Sequence, residues 1–233
     1  MIDIHTHVIP FIDDGSKSVE NSLDVLQRLK LEGVTDVICT PHYRAPYLLD
    51  AEEVKAEFLE FKNVVKAAGL DVNLYCGEEI YIKNKPLALI KSGVTLGLSG
   101  EKYLLCEFNF SEYSDIVESV YSLSTAGYIP VVAHIERYSY VNAETAEEIK
   151  SYGGLIQINA VSVVKPASRR EKKLVKFLLD AGLVDFVASD VHYGREIFLK
   201  KAYEKIKKKY GEEYAEKIFR LNAEKIIKGQ TNV

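Results

Sequence analysis

The chain carries five histidines, and all of them, His5, His7, His42, His134 and His192, fall at or just beyond the C-terminal end of a segment that reads as a β-strand. Imidazole nitrogens bind metals and carry protons near neutral pH. Asp3, His5 and His7 alternate along the first segment, and side chains two apart share a strand face, so His5 and His7 can turn toward one ion. Carboxylates occupy comparable places: Asp13 and Asp14 after the first segment, Glu78 and Glu79 after the third, Glu107 late in the fourth, and Asp190 two residues before His192. A glutamate in the apolar run Leu104-Leu105-Cys106-Glu107-Phe108 is costly to bury as an anion unless a cation or several donors meet it. A divalent ion removes that cost. Mixed histidine and carboxylate ligands without thiolate favour manganese, zinc or iron, and an oxygen-rich set tilts toward manganese. Hydrogen-bonded core histidines or a Glu107 ion pair explain one residue at a time, and leave the collective placement unexplained.

The elements that must position these groups alternate. Seven β-rich segments, Ile2 to Thr6, Val34 to Thr40, Val72 to Cys76, Tyr103 to Phe108, Ile129 to Ala133, Leu155 to Asn159 and Val184 to Ser189, are each followed by a helical pattern. Ser18 to Leu31 and Glu52 to Ala68 are amphipathic, the latter with Phe58, Phe61, Val64 and Val65 on one face. Glu196 to Tyr210 and Glu212 to Lys228 read as closing helices. Strand–helix alternation requires parallel pairing through right-handed crossovers. Continuous apolar strands such as Ile129-Pro130-Val131-Val132-Ala133 need cover on both faces, which an open sheet and a barrel both provide. Gly33, Gly69, Gly127, Gly153 and Gly182 precede strands where left-handed helix caps are expected. In either architecture the carboxyl edge of the strands is where ligands bind.

The composition narrows the function. The 233 residues are 47% hydrophobic and 27% charged, and no Pro/Ser-rich linker divides them, which fits a single domain over residues 1–233. Thirty Lys plus Arg against 34 Asp plus Glu gives a net charge of -4, without a global field for nucleic acid or anionic lipid. The basic runs Lys165 to Lys176 and Lys200 to Lys209 are interspersed with acidic and apolar residues, as solvated amphipathic faces are. No run approaches the roughly 20 apolar residues of a bilayer span, and Met1-Ile2-Asp3-Ile4-His5 has no signal-peptide character, so a cytoplasmic protein is expected. Cys39, Cys76 and Cys106 are widely spaced, fitting reduced core thiols. A C-x5-R phosphate loop is absent, because Ala45, Ile82 and Glu112 stand six residues beyond the cysteines. A Walker loop is absent, and Gly97-Leu98-Ser99-Gly100 continues into Glu101, which breaks a G-x-S-x-G elbow. Metal-assisted hydrolysis is the chemistry left standing.

The order His5-x-His7, Asp14, His42, Glu79-Ile-Tyr, Glu107, His134-Ile-Glu-Arg137 and Asp190-x-His192 resembles the PHP (polymerase and histidinol phosphatase) metal-hydrolase family across nearly the whole chain. Within it, Met1-Ile2-Asp3-Ile4-His5, Asp13-Asp14-Gly15-x-Lys17-Ser18 and Ala133-His134-Ile135-Glu136-Arg137-Tyr138 are most similar to bacterial protein-tyrosine phosphatases of capsular and exopolysaccharide synthesis. The resemblance implies a distorted (β/α)7 TIM-like barrel with three divalent ions, manganese favoured and iron or zinc as alternatives, at the C-terminal mouth. It implies a first ion on His5, His7, Glu79 and Asp190, a second on Glu79, Glu107 and His134, and a third on Asp14, His42 and His192. Asp13 can exchange with Asp14 and Glu78 with Glu79, because a one-residue shift reverses side-chain direction. Arg137 and Arg195, each three residues after a motif histidine, can reach a bound phosphate, Arg137 with the stronger support from the resemblance. Tyr43, Tyr138 and Tyr193 flank the same motifs and read mainly as rim packing. The implied substrate is phosphotyrosine on the tail of a tyrosine autokinase. Hydrolysis of histidinol phosphate or another small phosphomonoester, and a non-catalytic metal-binding adaptor, are the alternatives.

Overall fold

The computed structural model describes residues 1–84, 86–100 and 102–228. Its strands are β1 (Ile2–Thr6), β2 (Asp36–Cys39), β3 (His42–Tyr43), β4 (Asn73–Cys76), β5 (Glu79–Tyr81), β6 (Tyr103–Glu107), β7 (Ile129–Val132), β8 (Leu155–Asn159) and β9 (Phe186–Ala188). All pairings between these strands are parallel, in the orders β1-β2-β4 and β3-β5-β6-β7-β8-β9. The seven staves expected from the sequence are these strands, two of them interrupted. Pro41 lacks an N–H and separates β2 from β3, while Gly77 separates β4 from β5. The ladder runs on across both breaks, with Gly77 N donating to Cys39 O at 3.0 Å and Glu79 N to Pro41 O at 3.0 Å. A bridge from Thr6 to Val191, and Asp190 N donating to His5 O at 3.0 Å, join the last stave to the first. The result is a distorted (β/α)7 barrel.

Helices α1 (Val19–Leu31), α2 (Ala51–Ala67), α3 (Pro86–Lys91), α4 (Ile116–Thr125), α5 (Ala143–Ser151), α6 (Ala160–Val164), α7 (Arg169–Asp180), α8 (Leu199–Tyr210), α9 (Glu212–Glu216) and α10 (Asn222–Ile227) surround it. Five starts follow from side-chain caps: Ser18, Asp50, Asp115, Asn142 and Ser168 each accept a first-turn N–H, and Asp50 forms a reciprocal box with Glu53. The expected helix from Glu196 begins three residues later, at Leu199, and that from Glu212 is interrupted by a π turn over Lys217–Leu221. The glycines expected to cap helices all have positive φ. Among the described residues no helix is long and apolar enough to cross a membrane.

The core has two layers. Val37, Cys39, Leu104, Cys106, Val132, Ile156, Ile158 and Val187 belong to the large cluster that the helices cover. Ile38, Leu105, Val131, Ala133, Phe186 and Ala188 join Ile2, Ile4 and Leu98 in a second cluster, onto which Ala223 and Ile226 pack. Leu105 stands two residues before Glu107, and Ala188 two before Asp190, so this apolar layer lies one step below the polar groups on the same strand faces.

Candidate metal centre

The strands deliver their last residues to one point. His5 and His7, from β1 and the turn after it, bring their Nε2 atoms within 3.3 Å of each other. His5 Nε2 lies 3.3 Å from Glu79 Oε2 and 3.6 Å from Asp190 Oδ1, and His7 Nε2 lies 3.4 and 3.6 Å from the same oxygens. The other oxygen of Glu79 faces His134, with Oε1 at 2.8 Å from Nε2, and Glu107 Oε1 is 3.9 Å from that nitrogen. On the other flank, Asp14 Oδ1 stands 3.2 Å from His42 Nε2 and 3.4 Å from His192 Nε2. The structure thus gathers all nine residues expected as ligands, and Glu79 spans two of their groups. Among the described residues, four sets lie close enough to hold a cation: His5, His7 and Asp190; His5, Glu79 and His134; His42, Glu79 and Glu107; and His7, Asp14, His42 and His192. His134 and Asp190 reach their places with φ of 31° and 51°, left-handed backbone that costs about 1–3 kcal/mol in a residue with a Cβ.

The acid pairs resolve by direction. Asp13 turns away from the cluster: its Oδ2 lies 2.7 Å from His7 Nδ1 and accepts from His42 N at 3.2 Å, and its Oδ1 accepts from Gly15 N at 2.9 Å. Asp14 is the one that faces the histidines. Glu78 also points away and accepts from Leu96 N at 2.5 Å, leaving Glu79 at the centre.

The electrostatics call for positive charge. Burial opposes ionisation of Glu79, but His5, His134 and His42 outweigh it and hold the carboxyl well below its usual range. Burial, reinforced by Glu79, pushes Glu107 up to about 8. Burial likewise disfavours charge on His5, yet Glu79 and Asp190 raise it to about 8, while burial and the neighbouring His7 lower His192 to about 4. Asp13 is held at about 2 against burial by His7, so His7 Nδ1–H donates to a carboxylate. Burial opposes charge on His7 as well, but Asp13 and Glu79 raise it well above its usual value. A neutral His7 with its proton on Nδ1 would direct the Nε2 lone pair at His5 Nε2 and at carboxylate oxygens. If both rings are protonated instead, two N–H groups oppose each other across 3.3 Å. Glu79 Oε2 and Asp14 Oδ1 are buried and accept no well-aligned hydrogen bond. A cage of nitrogen and oxygen donors with acceptor facing acceptor fits divalent ions.

Two clefts of about 720 and 760 Å³ open beside the cluster. The first is lined by Arg137, Asn159, Ser162, Lys165, Asp190 and Arg195. Arg137 donates from Nη1 to Asp190 Oδ2 at 3.2 Å, and its guanidinium lies 4.2 Å from the Phe110 ring centre. Arg195 lines the same cleft but is exposed. The second cleft holds Asp14, Tyr43, Arg44, Tyr47, Tyr81 and Glu107. The rim reading suits Tyr43 and exposed Tyr193, whereas Tyr138 is fully buried, edge-on to Phe108. The cysteines are free, and burial pushes Cys76 and Cys106 up to about 12 and Cys39 well above its usual value, so none is a ready thiolate.

Sequence reasoning missed Arg44, which donates from Nη1 to both Glu107 oxygens, at 3.3 and 3.2 Å, and lies 3.5 Å from Asp14. Its position two residues after His42 was the available signal. It also missed Gln157 and Asn159, the polar alternation in Leu-Ile-Gln-Ile-Asn of β8.

Comparison with known proteins matches nearly the whole chain. The tyrosine-protein phosphatase CpsB of Streptococcus pneumoniae is 34% identical over 241 residues, covering 99% of each chain. Tyrosine-protein phosphatase YwqE of Bacillus subtilis is 28% identical over 237 residues, covering 99% of this chain and 93% of YwqE. A crystal structure described with YwqE and CpsB as unique metal-dependent tyrosine phosphatases superposes with a TM-score of 0.91 at 26% identity, covering 100% of this chain and 96% of that one. A β-aspartyl dipeptidase from Fervidobacterium islandicum, at 14% identity and TM-score 0.62, shares the fold alone. With residues 1–228 matching the family described as capsular polysaccharide synthesis, CpsB/CapC, the chain belongs to that family.

Proposed function

We propose that this chain is a metal-dependent protein-tyrosine phosphatase acting in capsular or exopolysaccharide synthesis, one phosphatase domain working in the cytoplasm, where its three free cysteines stay reduced. The observation that carries the reading is the convergence of His5 and His7 Nε2 with Glu79 and Asp190 oxygens within 3.3–3.6 Å. In this proposal His5, His7, Glu79 and Asp190 hold one ion, Glu79, Glu107 and His134 a second, and Asp14, His42 and His192 a third. Manganese suits a nitrogen and oxygen donor set without sulfur, with iron or zinc as alternatives. When bound, the ions supply Lewis acidity and make water a stronger nucleophile near neutral pH.

The chain's own groups supply the rest. Arg137, on the wall of one cleft, carries guanidinium donors matched to phosphate oxygens, and Arg195 supplements it from the rim. Arg44 offers a third guanidinium, from the other cleft. Asp13 fixes the His7 ring. The leaving group is an aryl oxide with a pKa of about 10, which demands less protonation than an alkoxide. The side chains of Asp14 and Arg137 are 38% and 37% exposed, so the centre is open to a polypeptide. A flexible phosphotyrosine tail, such as that of a tyrosine autokinase, fits this access better than a small molecule that needs enclosure.

The test is parallel turnover of a phosphotyrosine peptide and histidinol phosphate by manganese-loaded protein, with and without chelator. The reading requires peptide turnover that chelation abolishes and manganese restores. Preference for histidinol phosphate would reassign the substrate, turnover indifferent to chelation would remove the metal mechanism, and metal binding without turnover would leave an adaptor.

A further inference from the structure

Beneath the centre, the amides of Gln157 and Asn159 form a continuous chain between His5 and Asp190. The polarity of that chain is fixed at one end. His134 N is a backbone donor and meets the Gln157 side chain at 2.8 Å, so the atom it meets is the amide oxygen. That same oxygen lies 3.1 Å from His5 Nδ1, so His5 must donate there, which puts its proton on Nδ1 and leaves Nε2 turned to the centre. With its oxygen committed, Gln157 presents Nε2, which donates to Asn159 Oδ1 at 2.8 Å. Asn159 then has only its own amide nitrogen left, and Nδ2 donates to Asp190 Oδ2 at 2.9 Å. Asp190 Oδ1, the other oxygen, faces His5 and His7. Each group has one orientation that satisfies both neighbours.

The surroundings lock this orientation. Gln157 is fully buried and Asn159 is 4% exposed, so water cannot substitute for a lost partner. Asn159 N donates to Glu136 Oε1 at 2.9 Å, which anchors the end of β8 under the turn that carries His134 and Arg137. His5 comes from the first stave and Asp190 from beyond the last, where the barrel closes, and β8 lies against β9. The amides therefore tie together ligand candidates that the backbone brings from opposite ends of the chain.

We propose that Gln157 and Asn159 are positioning residues: a one-way amide relay that sets the His5 tautomer and directs the free Asp190 oxygen, so that both donors are aligned before a cation arrives. The relay rests on the metal-centre reading above and adds to it two residues outside the set of metal-ligand candidates. Preorganisation of this kind is read in metal affinity, since a ligand that must reorient on binding gives up part of the binding energy.

The experiment titrates the metal-free full chain with Mn2+ by calorimetry, for the parent, Gln157→Met and Asn159→Leu, each substitution close in shape but without polar atoms. Both variants are expected to bind about 10- to 100-fold more weakly. Because the two amides act as one unit, the double variant should lose less than the product of the single losses. Ile158→Val, on the opposite face of β8, serves as a packing control that lowers thermal stability without moving Mn2+ affinity. Should Gln157→Met fail to fold, Asn159→Leu tests the Asp190 arm alone. Variants that match the parent within about twofold overturn the relay and leave the metal reading standing. A parent that takes up no Mn2+ overturns both.

Discussion

His7 Nδ1 lies 2.7 Å from Asp13 Oδ2, and this contact decides which of two adjacent aspartates faces the centre. Asp13 accepts from the back of His7 and from two backbone N–H groups, which leaves Asp14 to meet His42 and His192. A carboxylate behind a ligating imidazole fixes its tautomer and raises its basicity. Asp13→Asn is therefore expected to weaken Mn2+ binding by about 10- to 100-fold while the fold persists. Calorimetric titration of the metal-free protein measures it, and parent-like affinity would refute the orienting role.

Gly15 is expected to tolerate no side chain. A Cβ there would sit 2.2 Å from His7 O and 2.5 Å from His7 Cβ, contacts that only a backbone shift can relieve. Gly15→Ala should cost about 1–3 kcal/mol in urea unfolding and reduce Mn2+ affinity, because the displaced atoms belong to His7 itself. A loss of stability with intact metal affinity would mean the loop relaxes without disturbing the ring.

Removal of the guanidinium should separate substrate recognition from metal binding. Arg137→Met is expected to lower kcat/KM on a phosphotyrosine peptide by about 100-fold or more, with Mn2+ stoichiometry unchanged. Arg195→Met, altering an exposed rim residue, should cost about tenfold or less. Steady-state kinetics on both variants rank the two arginines, and equal losses would contradict the ranking.

The metal-free protein should become less stable as pH rises, in part through Glu78. Burial raises its pKa from 4.5 to about 8, so the folded state holds the proton more tightly than the unfolded chain. Its stabilising contribution is complete below the unfolded value and is lost as pH climbs toward about 8. Glu78→Gln keeps a neutral acceptor for Leu96 N and removes that titration. Compared by urea unfolding under chelation at about pH 5 and about pH 8, the variant should gain on the parent only at the higher pH, by an amount on the order of 2–4 kcal/mol. A difference independent of pH would show that Glu78 ionises normally.

Alkylation should leave phosphatase turnover intact. Cys39 and Cys106 are fully buried and all three thiols are held protonated, so iodoacetamide has little thiolate to attack in the native state. Turnover of the phosphotyrosine peptide after prolonged treatment checks this. Rapid inactivation would reopen a thiol mechanism.

Local pattern determined much of this protein. Alternating strands and helices, glycine caps and five histidines at strand ends are one-dimensional signals, because side-chain direction in a strand follows position alone. They located seven staves and placed the histidines and several carboxylates at strand ends, while the nine-residue ligand set came from the family resemblance. The breaks at Pro41 and Gly77 were less legible, since a missing N–H or side chain does not say whether a ladder ends or continues past it. Pairing did: Cys39 and Pro41 carbonyls accept from the neighbouring stave on both sides of the break.

What only the tertiary structure decided is orientation between groups remote in sequence. Asp13 and Asp14 are equivalent as letters, and the contact of Asp13 with the back of His7 leaves Asp14 to face His42 and His192. Arg44 lies beyond the strand segment Val34 to Thr40 and stands out only once folding sets it against Glu107, 63 residues away in sequence. Gln157 becomes informative only when its amide oxygen meets a backbone N–H from β7's turn and an imidazole 152 residues distant. Residue type specifies what an atom can donate or accept. Which partner it meets depends on barrel closure, and hydrogen bonding is too short-ranged and directional to be read from spacing along the chain.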